Sequence, residues 1–396
     1  MKIVTNRNCH NCSQMTNANC RREERCLPNG RHRSFTLHTL HTTFAFAFAV
    51  QMLFAAFAFA AAPQAALPRP MVRPGFRCWY DVPYGERKDL KDEGPGFRGR
   101  IGNWTSSVLG VKICRHCSGQ QMDVYVPNSY KGGKAVVVMY IHGGTWSHCF
   151  DKGAIPHYLF KEFMRGGVVL VSPNYILQPD ISMNVTDAKR PEATFEAMLR
   201  DIDLAVSRLG DVLAGVGVEM SEFVMSGESA GAHLALLYAY DQDAPEKLSL
   251  GLSHKVRISR IVDIVGPTDF LSFGDNMKTP TSKLSDKDPR KPIRILLKRL
   301  VGMADDAPDE DVLPLAAKWS PVNLVTSRSV PTMMAYGQLM PLVKTDGIIP
   351  IVQKTALENR LGKAGVKSES RVFVGSNHGQ VSNTGAKWIV RKALGK

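Results

Sequence analysis

Three stretches of the chain carry residue types that could do chemistry together. The first is Gly227-Glu228-Ser229-Ala230-Gly231, set between the apolar runs "EFVM" and "AHLALLYAY". The spacing predicts a strand, a sharp turn and a helix. Small residues permit the turn, and the turn lifts the Ser229 hydroxyl clear of the strand end. The helix N-terminus behind it favours negative charge developing nearby. The bare pattern is weak, and its apolar flanks make it specific. The bland alternative is a serine that only caps the helix. The second stretch is "YIHGGTW", residues 140–146, which ends a continuous apolar run. Glycines there let backbone N–H groups turn inward. Those of Gly144 and Thr145, with that of Ala230, are candidate donors to an oxyanion. His142 is expected to hydrogen-bond within this loop and not to act as a base, because the base in such an arrangement comes later in the chain. The third stretch is "GSNHG", residues 375–379, which offers His378.

These residues need a scaffold that brings distant segments to one edge. "QMDVYVP" (121–127) alternates as a strand. "KAVVVMYIHGG" (134–144) and "GGVVLVSPNY" (166–175) read as strands buried on both faces. In residues 190–215, Phe195, Met198, Ile202, Ala205, Leu209 and Val212 recur at steps of three and four, the mark of an amphipathic helix. Further strands are expected at 257–266, 330–337 and 370–376, with helical stretches between them and a final helix at the C-terminus. Strands alternating with helices imply an α/β fold with a mostly parallel sheet covered on both faces. Residues 271–318 break this rhythm with many charges, several prolines and short helical pieces. They are expected to form a lid-like insertion over the C-terminal edge of the sheet, where such folds build their sites. A solvated charged face is the alternative reading.

The order HGGTW, GESAG, "GPTD", "PTMMAYG" and "SNHG" resembles the α/β-hydrolases, and within them the esterase/lipase branch with an HGG oxyanion loop. The resemblance covers roughly residues 120–395. It implies that Ser229 is the nucleophile and His378 the general base of a serine carboxylesterase working through an acyl-enzyme. It calls for neither metal nor cofactor, and for a small-molecule or carbohydrate-linked ester as substrate. A serine peptidase or amidase on the same fold is a second reading. A catalytically silent hydrolase fold serving as a binding module is a third.

The third reading arises because the acid departs from the family's pattern. The family has Gly-x-x-Asp after the penultimate strand, and counting from Gly337 puts Met340 at that place. Yet Asp346-Gly-Ile-Ile-Pro350 reproduces the expected Asp-x-x-x-Pro ending, and a helix-like segment follows. A six-residue insertion between Gly337 and Asp346 reconciles the two. Asp346 is therefore the expected acid, in the chain order serine, acid, histidine. Asp269 in "GPTD" is its rival.

Composition bounds the rest. At 396 residues and 44% hydrophobic, the chain can bury a large α/β core. The net charge of +14 is spread out, and no basic stripe with interleaved aromatics suggests nucleic acid. Residues 1–62 form a basic leader and an uncharged run from Phe44 to Ala62 that ends in small residues. This is the pattern of a signal peptide, with a retained N-terminal anchor as the alternative, so the chain is expected to be exported. Membrane contact is expected only through that segment. Residues 63–100 read as a Pro/Gly-rich arm, and 101–396 as the catalytic domain. Cys9, Cys12, Cys20 and Cys26 precede the run and lack a second CxxC pair for zinc. Cys78, Cys114, Cys117 and Cys149 would allow up to two disulfides in an exported protein.

Overall fold

The central strands of the sheet are apolar runs stopped by glycine, proline or a polar turn, and the computed structural model shows how the sheet assembles. It describes residues 67, 69–88, 119–147, 151–179, 190–272, 279–285, 288 and 290–396. The strands are β1 (Met71–Arg73), β2 (Phe76–Pro83), β3 (Gln121–Pro127), β4 (Lys134–Ile141), β5 (Val169–Pro173), β6 (Glu219–Glu228), β7 (Arg260–Ile264), β8 (Thr332–Gln338) and β9 (Ser368–Val374). They form one sheet in the order β1-β2-β3-β5-β4-β6-β7-β8-β9. Pairing is parallel from β5 through to β9 and antiparallel among β1, β2, β3 and β5. A mostly parallel sheet needs helices on both faces, because its strands are apolar on both sides. The helices are α1 (His157–Arg165), α2 (Phe195–Gly215), α3 (Ala230–Asp241), α4 (Arg290–Leu300), α5 (Asp309–Lys318), α6 (Ile351–Lys363) and α7 (Ala386–Ala393). All twelve residues of α3 are buried, which is why its sequence is apolar all round and not striped.

The segment expected to be a loose arm is in part sheet. β1 and β2 close as a hairpin over Gly75, which takes the left-handed φ of +91° that such a turn requires. β2 then pairs with β3, and Cys78, Trp79 and Val82 enter the core. Gly75 and Pro83 looked like linker punctuation; they mark the hairpin turn and the strand end. Cys78 is a free buried thiol that donates to the Met71 carbonyl. The other cysteines, the apolar run at 44–62 and residues 89–118 lie outside the described residues. Among the described residues, no helix is long and apolar enough to cross a membrane.

Within residues 271–318, α4 and α5 are tied together through Asp309. Its carboxylate accepts the Thr281 N–H at 2.6 Å and meets the Lys298 ammonium at 2.9 Å. As the first residue of α5 it also faces the positive end of that helix. Phe270 and Trp319, at the two ends of this segment, join it to the core around the site.

Candidate active site

Ser229 is the single residue between β6 and α3. Its backbone sits at φ +55° and ψ −120°, a strained conformation for a residue with a side chain. Neighbouring backbone holds it there. The Ser229 N–H donates to the Ile264 carbonyl at 2.8 Å, and its own carbonyl accepts from the His233 N–H at 3.1 Å. The motif's glycines answer to close approach. A Cβ on Gly231 would stand 2.1 Å from the Ile141 carbonyl oxygen, and one on Gly227 would stand 2.5 Å from the Gly231 carbonyl carbon. Both obstacles are backbone, so neither can swing aside. Gly231→Ala is accordingly expected to cost more than about 3 kcal/mol or to prevent folding, read as the shift of the denaturant midpoint.

Register brings the second stretch alongside. Ile141 at the end of β4 pairs with Gly227, so the chain beyond Ile141 passes directly over the serine turn. A Cβ on Gly143 would lie 2.9 Å from the Glu228 carbonyl oxygen and 3.4 Å from Ser229 Cβ. Gly144, Thr145 and Trp146 then take left-handed φ values of +110°, +53° and +57° in succession. The turn closes with the Ser147 N–H on the Gly144 carbonyl at 3.1 Å. Trp146 fixes this strained loop by packing edge-on against Phe195, His233 and Phe270. His142 is fully buried, stacked on Tyr175, with Nδ1 2.8 Å from the Gly143 carbonyl oxygen. Burial pushes its pKa down to about 4, so it stays neutral.

At the far side, β8 and β9 run parallel, with Gln338 opposite Val374, so the two following loops leave the sheet together. Those loops carry Asp346 and His378. His378 Nδ1 lies 2.8 Å from Asp346 Oδ2, and the His378 N–H donates to the Asp346 carbonyl at 3.0 Å. Asp346 is buried, and its Oδ1 accepts the N–H groups of Ile348 at 2.9 Å and Ile349 at 2.6 Å. Asp269 is engaged elsewhere. Its carboxylate accepts the Leu271 N–H at 3.0 Å, capping a short turn, and its backbone is gripped by Gln353 of α6.

One site residue escaped the sequence reading. Glu228, next to the serine, accepts from Ser382 Oγ at 2.6 Å and from the Tyr140 hydroxyl at 3.1 Å. Burial pushes its pKa up, while the Ser382 hydrogen bond and the charge of His378 oppose that shift. Ser382 follows His378 by four residues, so this carboxyl links the serine turn to the histidine loop. Glu228 was visible only as the variable position of GxSxG, and nothing local signals its partners. Among the described residues, no three His, Cys, Asp or Glu side chains gather to hold a metal ion. The CRHC pair lies outside them.

The sheet order, the strained serine turn between strand and helix, and the paired acid and histidine on adjacent strand ends define an α/β-hydrolase. The sequence model of the BD-FAE family matches residues 122–361, more than half of the chain, and the chain belongs to that family. A curated relative, esterase LipQ of Mycobacterium tuberculosis, is 25% identical over 252 residues, which cover 64% of this chain and 52% of the relative. The chain thus spans about half the length of the curated relative it matches. Among solved structures, esterase B from Lactobacillus rhamnosis, inhibited by a tributyrin phosphonate, aligns at a TM-score of 0.54 and 16% identity. That alignment covers 89% of this chain and 95% of the other. A truncated carbohydrate esterase from gut microbiota aligns at 0.52 and 17% identity, covering 84% and 99%. Both are likenesses of fold.

Proposed function

We propose that the chain is a serine carboxylesterase acting through Ser229, His378 and Asp346. The observation that carries this reading is the buried Asp346 carboxylate hydrogen-bonded to His378 Nδ1, on the loops that follow two adjacent strands. With Nδ1–H donating to Asp346, Nε2 is the basic nitrogen. It takes the proton of Ser229 as Oγ attacks the ester carbonyl carbon. The N–H groups of Gly144, Thr145 and Ala230 receive the oxyanion. The tetrahedral adduct collapses, and His378 returns its proton to the departing alcohol. Water, deprotonated by the same imidazole, then attacks the acyl-enzyme and releases the acid. Asp346 holds the imidazole in the required tautomer and stabilises its cation. The named esterase relatives support an ester over an amide, and the carbohydrate esterase among the structural neighbours makes carbohydrate-linked esters a substrate class to test first. The leader at 1–62 supports export. Hydrolysis of p-nitrophenyl acetate by the wild type and by Ser229→Ala tests the reading. Equal background rates would sink it.

Glu228 enters the same mechanism through charge. A carboxylate close to His378 attracts the imidazolium that forms as Ser229 gives up its proton. Glu228→Gln removes that charge and is therefore expected to lower kcat on p-nitrophenyl acetate by about tenfold at most, with KM kept. An unchanged kcat would leave Glu228 with packing alone.

A further inference from the structure

Exposed apolar side chains are concentrated in one place on this protein. Of the twelve large hydrophobic side chains exposed among the described residues, six lie on the hairpin 339–348 or on residues flanking it. They are Leu339, Met340, Leu342, Ile348, Val352 and Val374. Val374 pairs with Gln338 at the root of the hairpin, and Val352 lies in the first turn of the helix that follows it. Single exposed leucines need no explanation, but a cluster of this kind marks a contact surface.

The hairpin holds its shape without a cover. Its backbone is paired internally, with the Leu339 N–H on the Thr345 carbonyl at 3.0 Å and the Val343 N–H on the Met340 carbonyl at 2.9 Å. The Gln338 amide braces the tip by donating to the carbonyls of Met340 and Pro341 at 2.9 and 2.7 Å. At that tip Leu342 is 93% exposed and Met340 59%. A side chain that lines a pocket is mostly covered, whereas one at 93% projects away from the protein. The charges of the segment are selective too. Between Leu339 and Ile348 there are two charged residues, the exposed Lys344 and the buried Asp346.

We propose that hairpin 339–348 is a contact for an anionic lipid surface. Leu342 and Met340 enter the acyl region, and Lys344 lies among the headgroups. A stable protein partner must cover about 800 Å² with a complementary shape. A narrow convex turn offers no such face, but a fluid bilayer closes around it. From Pro63 on the chain carries a net charge of +9, which attracts the same kind of surface. The consequence is that Asp346 and His378, at the base of the hairpin, are held next to that surface. This surface reading stands whether or not the chain hydrolyses esters.

The test is site-resolved tryptophan quenching on the full chain. Leu342→Trp is mixed with phosphatidylcholine–phosphatidylglycerol vesicles whose acyl chains are brominated, and with unbrominated controls. Leu204→Trp, on the exposed side of α2, is the comparison. The emission gained by Leu342→Trp over wild type is expected to be quenched by the brominated vesicles only, while that of Leu204→Trp is kept. Adding Lys344→Glu should raise the lipid concentration at half-quenching about fivefold or more. Because only the difference between the two positions counts, binding through the apolar N-terminal run does not mimic the result. Equal quenching at both positions, or none at either, overturns the proposal. So does a concentration-dependent blue shift of Leu342→Trp without vesicles, which would assign the face to a second copy of the chain.

Discussion

Ser229→Ala is expected to lower kcat on p-nitrophenyl acetate by about 10⁶, the loss seen when a serine nucleophile is removed from such a triad. The loss should be chemical and not structural. Alanine carries the same Cβ into the strained φ of +55°, so it adds no backbone penalty that serine did not already have. The two hydrogen bonds that fix the turn, from the Ser229 N–H to Ile264 and from His233 to the Ser229 carbonyl, are both backbone and survive. The pairing of His378 with Asp346 is untouched. The thermal midpoint should therefore stay within about 2 °C of wild type. Whatever rate remains reports the oxyanion donors and binding alone. A variant with wild-type activity would move the chemistry away from this turn altogether.

Asp346→Asn is expected to lower kcat by about 10⁴, the precedent for an orienting acid, and the hydrogen bonds show why. Asp346 Oδ1 already accepts two backbone N–H groups, from Ile348 and Ile349. An asparagine must keep its oxygen on that side, because an NH₂ there would face two donors. Its NH₂ is then forced toward His378 Nδ1, which must turn from donor to acceptor. The ring proton moves to Nε2, and the nitrogen that should receive the Ser229 proton already carries one. Asp269→Asn makes the contrast. An amide oxygen can accept the Leu271 N–H as well as a carboxylate does, so a change of a few-fold at most is expected. The two variants, compared by kcat on the same ester, rank the acids. The opposite ranking would make Asp346 a turn residue.

What could be read from the sequence was set by range. The central strands announced themselves because burial on both faces leaves continuous apolar runs, and α2 because its apolar residues keep the helical step. Ser229 could be located because its turn is built from neighbours within a few residues. Asp346 was harder. Its distance along the chain from Gly337 departs from the pattern the chain resembles, and its meeting with His378 depends on the parallel register of β8 and β9, which no local pattern encodes. The contacts of Glu228 with Tyr140 and Ser382 span 88 and 154 residues and were invisible for the same reason. β1 and β2 have the local composition of an arm, because glycine and proline mark linkers as well as hairpin turns and strand ends. Pairing with β3, a tertiary event, overrides that local signal.

The anchors of Asp346 have a consequence for how such a chain can vary. Both backbone donors to Oδ1 lie within three residues of the aspartate. The aim of the carboxylate is thus set by its own turn, while the Leu339 N–H holds the neighbouring Thr345 to the strand end. No hydrogen bond to the Asp346 carboxylate comes from Met340 to Lys344, so exchanging those side chains is expected to leave the acid's aim unchanged. A grafted tip of different chemistry is therefore expected to change what this hairpin touches while the pairing of Asp346 with His378 stays as it is.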